Sequence, residues 1–152
     1  MYLPAIMAFL HHAAAFTLVA ALGVEVALFK PPLSAQQARR LIAIDTIFGA
    51  AAAAVLIVGL LRVFYFEKGA AYYFSNVFFL IKLGLFVIAA LISIYPTVLY
   101  LSWRKALRDG QVPEVIDTQR KRVRMCLMLE LTAVLGILFC APFMARGFGY
   151  SG

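Results

Sequence analysis

The sequence has 152 residues, of which 64% are hydrophobic, and its mean hydropathy is +0.94. Soluble domains are closer to half apolar, so this composition excludes an ordinary soluble enzyme and predicts a single transmembrane domain over residues 1–152. The formal net charge is +7, but the basic residues flank apolar segments. Membrane orientation and anionic lipid headgroups explain them better than nucleic acid does.

Four apolar segments are long enough to cross a bilayer as helices, at about residues 5–29, 41–63, 76–101 and 125–145. The first helix stops at Pro31 and Pro32, because proline cannot continue a helix. Gly110 and Pro113 predict that the last helix begins near residue 113, before its apolar part. No segment alternates as a membrane β-strand does. The predicted fold class is therefore an all-α, four-helix transmembrane bundle.

The basic residues predict the orientation of this bundle. The first and third connections share one side of the membrane and contain Lys30, Arg39, Arg40, Arg104, Lys105, Arg108, Arg120, Lys121, Arg122 and Arg124. The opposite side has Arg62, Lys68 and Arg146. Since cytoplasmic connections carry an excess of lysine and arginine, both termini are predicted to be non-cytoplasmic.

Each predicted span carries at least one ionisable residue, and such residues usually face the interior of a bundle. His11 and Glu25 share one face of the first span, whereas His12 points about 100° away. Depth along the spans divides the polar groups into two layers. The cofactor-binding candidates near the non-cytoplasmic surface are His11, His12, Arg62 and Lys82. The inner polar network comprises Glu25, Asp45 and Glu130 near the cytoplasmic surface, together with Ser93.

The basic layer is suited to several uses, which the residues alone leave open. One is a haem b with His11 or His12 as the ligand to the iron. Another is a quinone-like headgroup held by hydrogen bonds, and a third is a proton or ion path that continues through the acidic layer. Adjacent histidines diverge on a helix and cannot bind one haem iron from opposite faces, so a haem would need a second ligand of another kind.

Plain structural interpretations stand beside these. Arg62 lies at the end of a span, where long basic side chains reach for the interface. The three carboxyl groups would be explained by ion pairs with Arg39, Arg40 or Arg124, which hold the bundle together. No nucleotide-binding loop, nucleophile elbow or zinc-type cluster is present in the sequence, so no motif assigns catalytic residues or a reaction.

The run DTIFGAAAAAVLIVGLLRVFYFEKGAAYYFSNVFFLIKLGLFVIAALISIYPTVLYLSWR, from Asp45 to Arg104, resembles the core of a bacterial four-helix family catalogued as a domain of unknown function, DUF2214. The motifs that carry the resemblance are E-K-G, Y-Y, an intramembrane Lys, and S-x-x-P-T before W-R. The resemblance implies a multi-pass protein of the bacterial inner (plasma) membrane and no established activity. The chain is more distantly similar to HemJ-type and CopD-type membrane proteins, which implies a haem b near His11, with Arg62 and Lys82 facing an anion.

The leading interpretation is a small membrane protein, with redox activity, that binds one haem b or a quinone-like ligand in the outer half of the bundle. One alternative is a proton, ion or small-solute transporter that acts as an oligomer. The other is a non-catalytic partner or assembly subunit of a larger membrane complex. Small residues beside Asp45, such as Gly49 and Ala52, would allow close helix approach in a homodimer.

Overall fold

The computed structural model describes residues 2–150, and its architecture is a bundle of helices. The helices are α1 (Leu3–Leu28), α2 (Ala35–Leu61), α3 (Ala70–Phe74), α4 (Val77–Arg108) and α5 (Asp117–Ala145). All except α3 are long and apolar enough to cross a membrane. Within residues 2–150 there is no β-strand, only one isolated bridge. The predicted all-α bundle with four membrane-crossing helices is confirmed, while its orientation in the membrane stays a prediction.

Local polar contacts determine where the long helices begin. Ser34 precedes α2, and its hydroxyl accepts a hydrogen bond from the Gln37 N–H, while the Gln37 side chain accepts one from the Ser34 N–H. This reciprocal pair supplies acceptors for two N–H groups that have no partner within the helix. The last helix begins at Asp117 rather than near Pro113, and residues 111–116 are not helical. The Ile116 N–H donates to the Gln119 side chain at this start.

The end of α2 departs from α-helical geometry. Arg62–Phe66 form one turn of π-helix directly after Leu61. Such turns are rare in proteins as a whole, but many of those that occur are at functional sites. The wider turn changes the direction of the side chains that it carries. Gly69, at a φ of 88° that favours glycine, then reverses the chain into α3. The π-helical turn carries Arg62, which lines the site described below.

The long helices form two antiparallel hairpins, α1 with α2 and α4 with α5, which pack closely within themselves and more sparsely against each other. We call the interface between the two hairpins the seam. The fully buried side chains Leu22, Leu41, Leu127 and Tyr100 pack together in the part of the seam that forms the hydrophobic core. Elsewhere along the seam the looser packing leaves cavities between the hairpins.

Residues 146–150 after α5, here called the C-terminal segment, are fixed to the start of α4 by Asn76, which is fully buried. Its side-chain oxygen accepts hydrogen bonds from the N–H groups of Phe78 and Phe79. Its side-chain nitrogen donates to the Phe148 carbonyl at 3.0 Å. The Val77 N–H donates to the Gly149 carbonyl beside it. One asparagine therefore caps α4 and holds the C-terminal segment against it.

Candidate functional site

The seam contains a cavity of about 120 Å³, here called the basic cavity, that is lined by side chains of all four long helices. Its lining is mostly apolar, with Val55, Phe79 and Phe86 among the contributors. The polar side chains that reach it are His11, Arg62, Glu67, Tyr73 and Lys82. Three of the four cofactor-binding candidates predicted from the sequence therefore meet at one place.

His11 enters the basic cavity from α1 and is half-buried. Its ring packs against Gly59 of α2, so closely that a Cβ atom on Gly59 would lie 3.1 Å from His11 Cε1. The Nδ1 atom of His11 is buried and has no partner with hydrogen-bond geometry, although the backbone of Val55 is close enough to interact with the ring. A buried nitrogen of this kind costs free energy unless a ligand or water meets it, which keeps His11 a candidate contact for a bound group.

Arg62 reaches the same cavity from the π-helical turn and is held by Glu67. Its Nη2 atom lies 2.6 Å from Glu67 Oε1, whereas its Nε atom is buried without a partner. Tyr73 of α3 also lines the cavity. Burial raises the pKa of the Tyr73 hydroxyl, and the nearby Glu67 carboxylate raises it further, so this phenol remains a neutral hydrogen-bond donor.

Lys82 of α4 completes the polar lining and, unlike Arg62, has no counter-ion. Among residues 2–150, no carboxylate forms an ion pair with it. Arg62 and Lys82 bring two positive charges to the basic cavity and Glu67 brings one negative charge, so positive charge is in excess. An uncompensated cation inside a membrane is costly, which makes it a strong candidate for a ligand contact.

His12, the fourth candidate, is directed elsewhere. It is exposed, and its Nδ1 atom donates to the Ala8 carbonyl one turn earlier at 2.6 Å. Its ring lies 6.1 Å from the ring of His11, centre to centre, with the two planes nearly perpendicular. The separation of the two histidines follows from the rotation of about 100° per residue in a helix.

The predicted inner residues Glu25, Asp45 and Glu130 are all buried, with 1%, 6% and 1% of their surface exposed. They lie close enough for Asp45 to act electrostatically on both glutamates. Asp45 Oδ1 accepts a hydrogen bond of 2.7 Å from the Thr97 hydroxyl. Tyr100 faces Glu25, yet neither its hydroxyl nor Glu25 Oε1 has a partner with hydrogen-bond geometry, and the same is true of Glu130 Oε1. We call Glu25, Asp45 and Glu130 the acidic cluster.

No basic side chain neutralises the acidic cluster. The ion pairs within residues 2–150 involve Glu67 and Asp117, and Arg39 donates instead to the Leu107 carbonyl. The stabilising ion pairs that the sequence left open are thus not formed. Nor does the described part of the chain contain a group of histidine, cysteine and carboxylate side chains that could hold a metal ion.

A second cavity, of about 270 Å³, lies along the seam between the basic cavity and the acidic cluster. Val55, Phe86 and Ile137 line both cavities and separate them. Thr97, the partner of Asp45, lines the second cavity, as does Ser93. The Ser93 hydroxyl donates to the Ala90 carbonyl of its own helix, so it is not bound to the carboxyl groups.

Several residues of the site were not predicted as site residues. Glu67 and Tyr73 come from the connection between two spans, where the sequence gives no sign that the chain folds back towards Arg62. The spacing of Glu67 five residues after Arg62 would have indicated the ion pair only if the π-helical turn had been foreseen. Thr97 and Tyr100 lie on the same face of α4 as Ser93, which is a signal for an inward position but not for a partner.

The comparisons with known proteins agree with this architecture. A family described as "Predicted membrane protein (DUF2214)" matches residues 3–149. No match is found among curated proteins or among solved structures. The family match includes all four long helices, the basic cavity and the acidic cluster. The resemblance seen in the sequence is confirmed, and the chain belongs to the DUF2214 family of predicted membrane proteins.

Proposed function

We propose that the basic cavity binds a small amphipathic molecule whose headgroup is a single ring with carbonyl or phenolic oxygens, which is the chemistry of a quinone. The observation that carries this proposal is the meeting of His11, Arg62 and Lys82 at one apolar cavity in the membrane. His11 Nδ1 and Arg62 Nε are buried there without a partner that has hydrogen-bond geometry. Oxygen acceptors on a ligand would satisfy the Arg62 and Lys82 donors, and a phenolic O–H or an acceptor would satisfy His11, depending on its tautomer.

The size of the basic cavity limits the ligand. An engineered apolar cavity of about 150 Å³ binds benzene, whereas pockets for drug-sized molecules have roughly 300–1,000 Å³. The basic cavity, at about 120 Å³, matches one six-membered ring. A porphyrin is much larger, so the haem b that the distant resemblance implies does not fit the residues present.

The lining of the basic cavity supports an amphipathic ligand rather than a simple anion. Apolar side chains surround most of the cavity, and Leu56 lines it while remaining 39% exposed on the outer surface of the bundle. A ring that enters beside Leu56 would leave an apolar tail among the lipids. A bound quinone supplies two-electron redox chemistry, and the role of the chain is to bind and orient its oxygens.

Calorimetric titration of the detergent-purified protein with a short-tailed quinone tests the proposal. We expect Lys82→Met to weaken binding about tenfold or more, because hydrogen bonds to charged groups contribute roughly 1.5–3 kcal/mol. His11→Ala should weaken it about three- to tenfold, the range of a neutral hydrogen bond. His12→Ala is the matched control and should bind as the wild type does. Equal affinity of all three variants would overturn the proposal.

A second candidate function, proton transfer along the seam, is favoured by the acidic cluster. Burying an unpaired carboxylate costs several kcal/mol, and three carboxyl groups without a basic partner therefore favour the uptake of a proton or a small cation. Thr97 connects the cluster to the second cavity, which adjoins the basic cavity. In this reading the cavities form a route between the basic and the acidic layer.

Proton flux into vesicles that contain the purified protein and a pH-sensitive dye tests this second candidate. Glu25→Gln should abolish the flux, because it removes a proton-exchanging group and keeps the shape of the side chain. Glu114→Gln, an exposed position outside the long helices, is the control. Flux that is lost in Glu25→Gln while quinone binding persists would assign the cluster to proton transfer. Flux that no variant alters would exclude this role for the cluster.

A further inference from the structure

We propose that a groove between α2 and α4 binds the phosphate headgroup of an anionic phospholipid. The groove has a volume of about 490 Å³ and is lined by Arg39, Ile42, Arg104, Leu107 and Arg108. Three guanidinium groups from two different helices therefore converge on one depression. It lies outside the basic cavity and shares no lining residue with it.

The guanidinium groups of this arginine groove have no carboxylate partners. Among residues 2–150, none of the three arginines forms an ion pair. Arg39 is instead fixed by a hydrogen bond of 3.1 Å from its Nη2 atom to the Leu107 carbonyl across the groove. Three unneutralised cations held close together repel one another, and an anion between them would replace this repulsion with attraction.

The location of the groove selects the source of the anion. Arg39 lies in the first turns of α2, and Arg104 and Arg108 lie in the last turns of α4, so the groove is at the end of two membrane-crossing helices. This is the depth of lipid headgroups. Ile42 and Leu107 add an apolar surface on which the beginning of an acyl chain can lie. A phospholipid satisfies both parts of the groove, whereas free phosphate satisfies only the arginines.

The chemistry of arginine fits a phosphate group. Its planar guanidinium donates two parallel hydrogen bonds to phosphate oxygens, and basic pockets between transmembrane helices bind anionic lipid headgroups. Two other exposed arginines serve as a contrast. Arg122 and Arg124 of α5 are exposed but do not line the groove, so they represent the general attraction of basic residues to an anionic membrane.

Native mass spectrometry of the protein in a neutral detergent tests the proposal with phosphatidylglycerol and phosphatidylcholine as probes. We expect phosphatidylglycerol to bind more tightly than phosphatidylcholine. The double variant Arg104→Gln/Arg108→Gln should lose about tenfold or more in phosphatidylglycerol affinity, because it removes charge-assisted hydrogen bonds to the phosphate. The double variant Arg122→Gln/Arg124→Gln removes the same charge and should keep the affinity of the wild type.

Two results would overturn the proposal. The first is an equal loss in both double variants, which would show general charge attraction without a site. The second is full displacement of the lipid by millimolar inorganic phosphate, which would show that the arginines bind the free ion. A circular dichroism melt of each variant verifies that the helices are intact, and neither double variant removes a buried side chain.

Discussion

Gly59 of α2 and His11 of α1 lie so close together that a Cβ atom on Gly59 would be 3.1 Å from Cε1 and 3.4 Å from Nδ1 of the histidine ring. The first distance is shorter than ordinary van der Waals contact, so only glycine allows the ring this position. Gly59 and His11 both line the basic cavity. The position of the proposed ligand contact therefore depends on a residue that contributes no chemistry of its own.

We expect Gly59→Ala to weaken quinone binding about three- to tenfold, because the ring must move by a few tenths of an ångström and its hydrogen bond deteriorates. The free energy of unfolding should not fall with it, since alanine is favoured over glycine in a helix by roughly 0.5–1 kcal/mol. Gly49→Ala, where no atom lies within 4 Å of the added Cβ, is the control and should bind normally. Parallel titrations and thermal melts would measure both quantities. Unchanged binding in Gly59→Ala would show that His11 does not contact the ligand.

The sequence was sufficient to predict the fold because hydropathy and helix-stop residues determine the number of spans. Periodicity also placed His11 and Glu25 on one inward face. In the structure this face is buried from Leu18 to Glu25, the half of α1 that ends near α2. The same periodicity does not determine how the hairpins pack. For that reason the convergence of His11 with Lys82, and the position of Gly59 against the ring, required the structure.

Contacts of connecting segments were the part that the sequence could not provide. Glu67 and Tyr73 reach the basic cavity only because the π-helical turn and Gly69 redirect the chain after α2. The start of α5 at Asp117 rather than near Pro113 has a similar origin, since proline is compatible with a helix start but does not require one. Local backbone geometry of this kind leaves little trace in the hydrophobic pattern.

The pairing of Arg62 with Glu67 predicts opposite effects for two substitutions. Arg62→Gln should weaken quinone binding about tenfold, because it removes a charged donor from the basic cavity. Glu67→Gln releases Arg62 from its partner at 2.6 Å and should leave binding equal or tighter. The pair is partly exposed, so its loss should change the free energy of unfolding by no more than about 1 kcal/mol. Calorimetry and thermal melts of both variants test this, and equal losses of affinity would show that the intact ion pair is what the ligand requires.

The hydrogen bond from Thr97 to Asp45 predicts a specific cost for its removal. Thr97→Val keeps the size of the side chain but leaves a buried carboxyl oxygen without its donor, so the free energy of unfolding should fall by about 1–3 kcal/mol. Thr132→Val is the control, since that exposed hydroxyl bonds only to the Met128 carbonyl of its own helix; it should change stability by less than about 0.5 kcal/mol. Denaturation in detergent measures both. If the free energy of unfolding fell by a similarly small amount in both variants, Asp45 would have found another partner.

Asn76 performs two tasks that one substitution should separate. Asn76→Asp keeps the oxygen that caps the Phe78 and Phe79 N–H groups, and aspartate is favourable at a helix N-terminus. It removes the donor to the Phe148 carbonyl and sets two acceptors against each other there. We therefore expect the C-terminal segment to detach while α4 remains capped.

Hydrogen exchange at single amides distinguishes these tasks. The Val77 N–H donates to Gly149, so it should exchange faster in Asn76→Asp, while the amides of Phe78 and Phe79 stay protected. Asn76→Ala should expose all three amides, because it also removes the cap, at a further cost of about 0.5–2 kcal/mol. Protection of Val77 that persists in Asn76→Asp would mean that the backbone bond to Gly149 holds the segment without the side chain. Detachment would open the end of the seam where Phe79 and Met144 line the basic cavity, so quinone affinity should fall in parallel with the protection of Val77.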